Sequence, residues 1–268
     1  MGSLTVVGTG YLVAGHATVE SLSHLRTAEK VFYLVAEPAT ALWMEELNAT
    51  AESLFDCYRV GRPREASYEE MIARVLAEVE RGAEVCAAFY GHPGVLAFPP
   101  HEMVRRARER GHFAQMLPGV SAEACLVCDL GVDPGDCGWQ SHEATDFLLR
   151  RRRFDPTSAL VLWQVGAIGV ADFSRAETWT STGVAVLVEV LREHYPAAHQ
   201  VVLYEASPYP TVPPVIERTS LARLARRRVA VRKTLYVPPV GEAPEDPAMA
   251  RRLSRPASRR RRARARGR

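Results

Sequence analysis

Residues 86–98 read Cys-Ala-Ala-Phe-Tyr-Gly-His-Pro-Gly-Val-Leu-Ala-Phe, an apolar run that breaks at two glycines flanking a histidine and a proline. The run 86–90 suits a buried strand, Gly91 and Gly94 permit unusual backbone angles or close approach, and Pro93 forbids ladder pairing. Ligands of open α/β sheets sit beyond the carboxyl ends of strands, so Tyr90, His92 and Val95 would face a small molecule. Taken alone, the stretch fits a tight turn with a surface histidine equally well. A second group lies upstream. Ser67-Tyr68-Glu69-Glu70 has the form of a capping box before an apolar face of Met71, Ile72, Val75, Leu76 and Val79. That pattern predicts Ser67 as N-cap and Tyr68 as the first helical residue, placing a phenol at the positive end of a helix. Tyr58, Arg62 and Arg64 precede it in a loop, where such side chains most often only meet solvent. Further on, Ser121 is the expected N-cap of a helix with Glu123 in its first turn, whose amides could hold a polar or anionic group. Gln164, at the end of an apolar run over 158–165, offers a donor and an acceptor. Cys125, Cys128, Cys137 and His142 raise a metal site; among Leu126, Val127 and Leu130, with no second paired set, packed thiols are the better reading.

The elements that must position these residues alternate along the chain. A strand over residues 4–7 runs into Gly8-Thr9-Gly10 and then a helix over 18–25, a βα unit. The Gly-x-Gly is not a dinucleotide fingerprint, because Gly15 comes too late and no acidic residue closes the strand 30–36 before Glu37-Pro38. A helix is expected over 102–110, a strand over 112–117 and a hinge at Pro118-Gly119. A helix over 183–194, a strand over 200–204, a short helix over 220–226 and a last strand over 231–237 follow. Strands and helices are thus expected to alternate through both halves: an N-terminal α/β domain over 1–117, a C-terminal α/β domain over 118–239, and a disordered tail over 240–268.

At 268 residues and 47% hydrophobic, the chain can bury a sizeable core. The longest apolar stretch, 159–170, is interrupted by Gln164, Gly166 and Gly169 and is shorter than the roughly 20 residues a membrane helix needs. No secretory signal is evident, and five scattered cysteines fit reduced thiols, so a cytoplasmic protein without membrane attachment is expected. Ten Arg within residues 251–268 turn a net charge of +3 for the whole into −7 for the remainder. A basic tail of this kind can bind nucleic acid or another acidic surface, and solvation of the tail is at least as good a reading.

Val7-Gly8-Thr9-Gly10, Phe89-Tyr90-Gly91-His92-Pro93-Gly94-Val95, Leu117-Pro118-Gly119-Val120-Ser121-Ala122 and Gln164-Val165-Gly166 occur together in this order. The set resembles the tetrapyrrole-methylase-like S-adenosylmethionine-dependent methyltransferases, and within them the borosin peptide backbone α-N-methyltransferases. The likeness runs from Gly2 to Pro239 and includes Lys30-Val31-Phe32-Tyr33, Asp172-Phe173 and Tyr236-Val237-Pro238-Pro239. It implies a two-domain α/β fold with S-adenosyl-L-methionine in the cleft between domains, and a homodimer. Carried over by position, the donor site comprises Tyr90, His92, Val95, Ser121, Ala122, Gln164, Ala206 and Thr234, with Gly8 and Gly10 of the glycine turn. Lys233, before Thr234, would contribute through its backbone. The catalytic residues fall on Tyr58, Arg64, Tyr68 and Tyr90, and Phe55 stands where fungal members have a further tyrosine.

The chemistry implied by the resemblance suits those residue types. An amide nitrogen is a poor nucleophile because its lone pair is delocalised, so methyl transfer needs proton removal and stabilisation of the imidate. The resulting expectation is Tyr68 as base, Arg64 as the cation lowering its pKa, Tyr58 as partner of the amide oxygen and Tyr90 as positioner. Fused members of the family continue into an apolar core peptide, whereas residues 240–268 hold Pro244, Pro247 and the arginines. The match is therefore to the split type, acting on a separate precursor peptide. The alternatives are a tetrapyrrole or ribosomal RNA methyltransferase of the same superfamily, and a nucleic-acid-binding protein acting through the Arg-rich tail.

Overall fold

The computed structural model describes residues 1–253 except 36, 178 and 181. Strands β1 (Ser3–Gly8), β2 (Lys30–Leu34), β3 (Glu52–Ser53), β4 (Glu84–Phe89) and β5 (Phe113–Met116) form one sheet in the order β3-β2-β4-β1-β5, with every neighbouring pair parallel. Parallel strands need crossovers, so helices cover both faces, and β1 and β4 are buried along nearly their whole length. Helices Arg64–Glu80 and Phe98–Glu109 bring Met71, Ile72, Val75, Met103 and Ala107 against one face. Helices Val19–Thr27 and Pro38–Leu47 bring Leu25 and Met44 against the other.

The chain leaves β5 through Pro118 and Gly119 and enters helix Ala122–Leu130, where the Ser121 hydroxyl accepts from Ala124 N at 3.1 Å as its sequence predicts. Strands β6 (Trp139–Glu143), β7 (Ala159–Trp163), β8 (Gln200–Glu205), β9 (Val215–Ser220) and β10 (Thr234–Val237) form a second sheet in the order β6-β7-β10-β8-β9. Only β6 and β7 pair in parallel; the other three pairings are antiparallel. This departs from the expected alternation, since β9 follows β8 with no helix between them. The three strands that the sequence hides, β3, β6 and β9, all lie at sheet edges, and β3 is only two residues long. β6 (Trp-Gln-Ser-His-Glu) and β9 (Val-Ile-Glu-Arg-Thr-Ser) are too polar for either strand period to stand out.

The start of the 64–80 helix corrects a second expectation. It begins at Arg64 with Pro63 in the cap position, not at Tyr68 with Ser67. Ser67 lies inside the helix, fully buried, and its hydroxyl has no partner among the described residues. The cause is tertiary. Residues 61–64 pair antiparallel with 171–173 from the second half: Gly61 N to Phe173 O at 3.0 Å, Phe173 N to Arg62 O at 2.9 Å and Arg64 N to Ala171 O at 3.1 Å. The Ala171 carbonyl thereby satisfies a first-turn amide that a side-chain cap would otherwise take. The 98–109 helix likewise starts earlier than expected, with Pro99 and Pro100 in its first turn, where a missing amide proton does no harm.

Three glycines set how closely the two halves approach. A Cβ on Gly8 would lie 2.5 Å from Gly91 O and 2.9 Å from Gly119 Cα, and one on Gly119 would lie 2.7 Å from Gly91 O. The ends of β1 and β4 and the connection to the second half therefore interlock through bare backbone. Within residues 240–253 a short helix, Pro247–Arg252, is capped by Asp246 and buries none of its residues. Residues 254–268 of the expected Arg-rich tail lie outside the described residues. No helix among the described residues is long and apolar enough to cross a membrane.

The Ser67 hydroxyl separates the two helix starts by experiment. A Ser N-cap replaced by Ala loses about 1 kcal/mol, whereas removing a buried, unpaired hydroxyl is neutral or stabilising. Ser67→Ala is expected to leave the denaturant midpoint unchanged or raised, and a fall of about 1 kcal/mol in urea unfolding would count against the Arg64 start.

Candidate active site

A cavity of about 390 Å³ opens beyond the carboxyl ends of β1 and β4, with its far side formed by the second sheet. Gly10, Tyr58, Arg64, Tyr68, Tyr90, His92, Val95, Ser121, Ala122, Gln164, Ala206 and Thr234 all line it. Gly8 does not. Its place is the glycine contact below, where it lets the Thr9-Gly10 turn bond to the β4 end: Gly10 and Gly91 exchange backbone hydrogen bonds at 3.1 and 2.9 Å. Lys233 also stands off the cavity, its buried ammonium pairing with Glu205 at 3.4 Å and Glu217 at 3.1 Å.

One wall is polar and built from strand ends. His92 Nδ1 accepts from Gly94 N at 2.9 Å, so the neutral ring carries its proton on Nε2 and can donate. Gln164 holds a left-handed backbone, φ 57°, at the end of β7, kept there by the packing of Gly166 against Ala230, where no Cβ would fit. Ser121 stands at the N-terminus of its helix. This array of amide, hydroxyl and imidazole groups between β-strand ends, with glycine backbone at Gly10 and Gly91, suits a small polar ligand.

The other wall is aromatic and comes from both halves. Arg64 and Tyr68 are one turn apart in the same helix and share a face. Tyr58 stacks on Phe173 with centroids 4.8 Å apart, and Tyr68 meets Tyr58 edge-on at 6.3 Å. Phe55 packs edge-on to Tyr58 and Phe173 at 5.7 and 6.1 Å. The Arg64 guanidinium donates through Nη2 to Val170 O at 2.7 Å and through Nε to Ala171 O at 3.3 Å, and its Cζ lies 5.5 Å from the Trp179 ring centroid. No salt bridge reaches it among the described residues.

Burial raises the phenol of Tyr58, with Tyr68 and Tyr90 adding to the rise and Arg64 opposing it. Tyr90 opens half its surface to the cavity, yet burial of its deeper part still leads the causes that raise it, ahead of Tyr68, and Arg64 again opposes. Both are thereby held protonated, as donors.

Several lining residues escaped the sequence reading. Tyr11 packs edge-on to Tyr90 at 6.1 Å, and Phe173 and Trp179 come from an irregular loop with no period to mark them. Glu37 lines the cavity at the end of β2 after all, with its carboxylate taken by Arg232 Nη1 at 3.0 Å and the Tyr209 hydroxyl at 3.2 Å. Among the described residues no group of three or more His, Cys, Asp or Glu is placed to hold a metal; Cys125, Cys128 and Cys137 are free thiols.

The family model of Tetrapyrrole (Corrin/Porphyrin) Methylases matches residues 3–224. This chain belongs to the tetrapyrrole methylase family. Over 252 residues the chain is 41% identical to a methyltransferase/ribosomally synthesized cyclic peptide gymnopeptides precursor of Gymnopus fusipes, across 92% of its own length and 59% of that protein. It is 40% identical over 256 residues to the corresponding omphalotin A precursor protein of Omphalotus olearius, across 94% and 61%. The chain thus spans less than two thirds of the length of these relatives, whose names join a methyltransferase to a peptide precursor. The expected kinship with the borosin enzymes is borne out. In fold, the chain resembles a uroporphyrin-III C-methyltransferase of Thermus thermophilus, with a TM-score of 0.63 at 20% identity over 92% of this chain and 99% of that one.

The raised phenols have a consequence for alkaline stability. Tyr11, Tyr58 and Tyr90 are each raised chiefly by burial, while an unfolded chain ionises its tyrosines near about pH 10. The folded state holds these protons more tightly, so this stability is complete below about pH 10 and is lost as the pH rises beyond it. Melting temperatures are expected to fall on that side, with a shallower fall in Tyr58→Phe; a slope unaltered by the substitution would contradict the burial.

Proposed function

We propose that this methylase transfers a methyl group from S-adenosylmethionine to backbone amide nitrogens of a peptide. The observation that carries the reading is the corner where Arg64 and Tyr68 share one helical face with Tyr58 beside them, in the same cavity as the polar wall. Bound S-adenosylmethionine supplies an electrophilic methyl group. Tyr90, His92, Val95, Ser121, Ala122, Gln164, Ala206 and Thr234 are the residues that would hold it, with the Gly10 backbone beside them.

The acceptor side has the harder task, because a neutral amide must lose its proton before its nitrogen can attack. Tyr68 accepts that proton. A guanidinium about 6 Å from an anion, at an effective dielectric of about 20, stabilises it by about 3 kcal/mol. The helix terminus contributes only about 0.3–1 kcal/mol, and Tyr68 stands a full turn beyond it, so Arg64 is the dominant support. Tyr58, kept protonated, donates to the amide oxygen on which the imidate charge gathers. Tyr90, also protonated, stands between the two walls and orients the reacting groups. Phe173 and Trp179, both half-buried, wall the corner beside Tyr58 and Arg64.

Residues 240–268 make poor acceptors, since Pro244 and Pro247 have no amide proton and arginines are costly to desolvate in a cleft. The acceptor in this reading is a separate precursor peptide. Mass spectrometry of the protein incubated with S-adenosylmethionine is expected to show no methyl increments on residues 240–268, and several on an added precursor. Methylation of a tetrapyrrole alone, or of backbone nitrogens within 240–268, would overturn the reading. Arg64→Ala and Tyr68→Phe are each expected to lower turnover about a hundredfold or more while donor binding by calorimetry stays within about twofold. Loss of donor affinity in step with activity would reassign them to the donor site.

A further inference from the structure

We infer that Trp179 is a positioning residue for Arg64: together with the carbonyls of Val170 and Ala171 it fixes the guanidinium beside the Tyr58–Tyr68 corner without neutralising it. The inference rests on the proposed function and deepens it. All three anchors come from residues 166–180 of the second half, a loop closed at its base because Gly166 O accepts from both Trp179 N at 3.1 Å and Thr180 N at 3.0 Å. The Trp179 ring is itself fixed, with Nε1 donating to Ala176 O at 2.9 Å and the Phe173 ring packed edge-on at 5.8 Å.

The chemical type of the anchors matters more than their number. A carboxylate would hold a guanidinium more firmly, but its negative charge would cancel the field that Arg64 exerts on a phenolate. Carbonyl oxygens and an aromatic face attract the cation and add no net charge. Other arginines of the same helix region show the contrast: Arg62 pairs with Glu70, Arg74 with Asp56 and Glu70, and Arg106 with Glu69 and Glu102. Only neutral groups hold Arg64 among the described residues.

The titratable groups facing this corner can be named from each element. Tyr58 comes from the segment before the helix and Tyr90 from the end of β4, and Arg64 opposes the rise of both. On the helix itself Glu69 and Glu70 are engaged by the arginines above, and the 98–109 helix presents Phe98, which carries no charge, 6.2 Å from Tyr68. The loop contributes Asp172, exposed and paired through its backbone with Pro63. Loosening the guanidinium therefore draws away from the phenols the cation that opposes their rise, with no other charged group among the described residues in its place.

The test compares Trp179→Leu, Trp179→Phe, Arg64→Ala and Tyr68→Phe in the full-length protein. Tyrosinate absorbance is titrated without substrate, and the ionisation that Tyr68→Phe removes is followed in the others. Methylation of the precursor is measured across the same pH range. Trp179→Leu is expected to move that ionisation upward by about half to one pH unit and to lower neutral-pH turnover about three- to tenfold, with donor affinity unchanged. Trp179→Phe, which keeps a ring face, is expected to move it by less than half as much. Arg64→Ala is expected to move it furthest. Loss of turnover at every pH with the ionisation unmoved would make Trp179 merely structural and overturn the inference, as would a Phe variant no better than Leu. Should Trp179→Leu fail to fold, Trp179→Phe decides alone: a small upward shift supports the inference and none overturns it. If the titration shifts as expected but the wild type methylates no peptide, the proposed function fails while the positioning of Arg64 stands.

Discussion

Three backbone hydrogen bonds between residues 61–64 and 171–173 determine where the 64–80 helix stands relative to the second sheet. Antiparallel pairing fixes register absolutely, because a slip of one residue would turn alternate side chains to the opposite face. Arg64 lies at the last pair of this short ladder, and the Ala171 carbonyl accepts from both its backbone amide and its Nε. Helix start, side-chain anchor and contact between halves are thus one structural event. A shift there would displace the cation and unmake the aromatic wall together, since Tyr58 lies just upstream of the ladder and Phe173 within it.

The opposite end of the cavity is joined by a different kind of force. Arg232 links Glu37 of the first half to Glu205 of the second at 3.0 and 3.1 Å, and Lys233 extends the chain to Glu217. Arg232 is 64% exposed, and ion pairs so open to water contribute about 0–1 kcal/mol each. The glycine contact is short-range and backbone to backbone, and the ladder, though it runs through exposed residues such as Gly61, Pro63, Ala171 and Asp172, is held by three directional backbone hydrogen bonds. The Arg64 corner is thus fixed by a backbone ladder, whereas the Glu37 end combines exposed ion pairs with a backbone bond between the halves, Val13 N to Pro208 O at 3.0 Å. Charge follows the same division: paired at Glu37, where it joins the halves, and unpaired at Arg64, where it acts on phenols.

The polar wall was legible in the sequence because each of its residues sits where a strand meets a turn signal. Gly91-His92-Pro93-Gly94 and Gln164-Val165-Gly166 announce strand ends, and Ser121 announces a helix start; local patterns of this kind survive folding. The aromatic wall was legible only through resemblance. Its geometry depends on a long-range pairing that overrides a good local capping motif at Ser67, and on Phe173 and Trp179 in a loop that has no period. The parallel sheet could be read from its apolar runs, whereas β6 and β9, at edges and rich in polar residues, carry no such mark. Even so, Arg64 and Tyr68 are four residues apart, and that spacing signals a shared helical face once the helix is known to start early enough.

Three of the phenols that line the cavity, Tyr58, Tyr68 and Tyr90, share a corner with Arg64, which has no salt bridge among the described residues, and they constrain one another. The charge of an ionised Tyr68 is among the causes that raise Tyr58 and Tyr90, and Arg64 opposes the rise of each. One negative charge offsets one guanidinium, and a second would face both burial and repulsion, so the corner accommodates a single phenolate at a time. Division of labour among chemically identical side chains then follows from position in the proposed reaction: the tyrosine one turn beyond Arg64 takes the role of base, and the two whose phenols burial raises are donors. Phe55 fits this logic. A fourth phenol in its place would add another ionisable hydroxyl to the same corner, while the phenylalanine ring keeps the edge-on packing against Tyr58 and Phe173 that holds the donor Tyr58 in its stack.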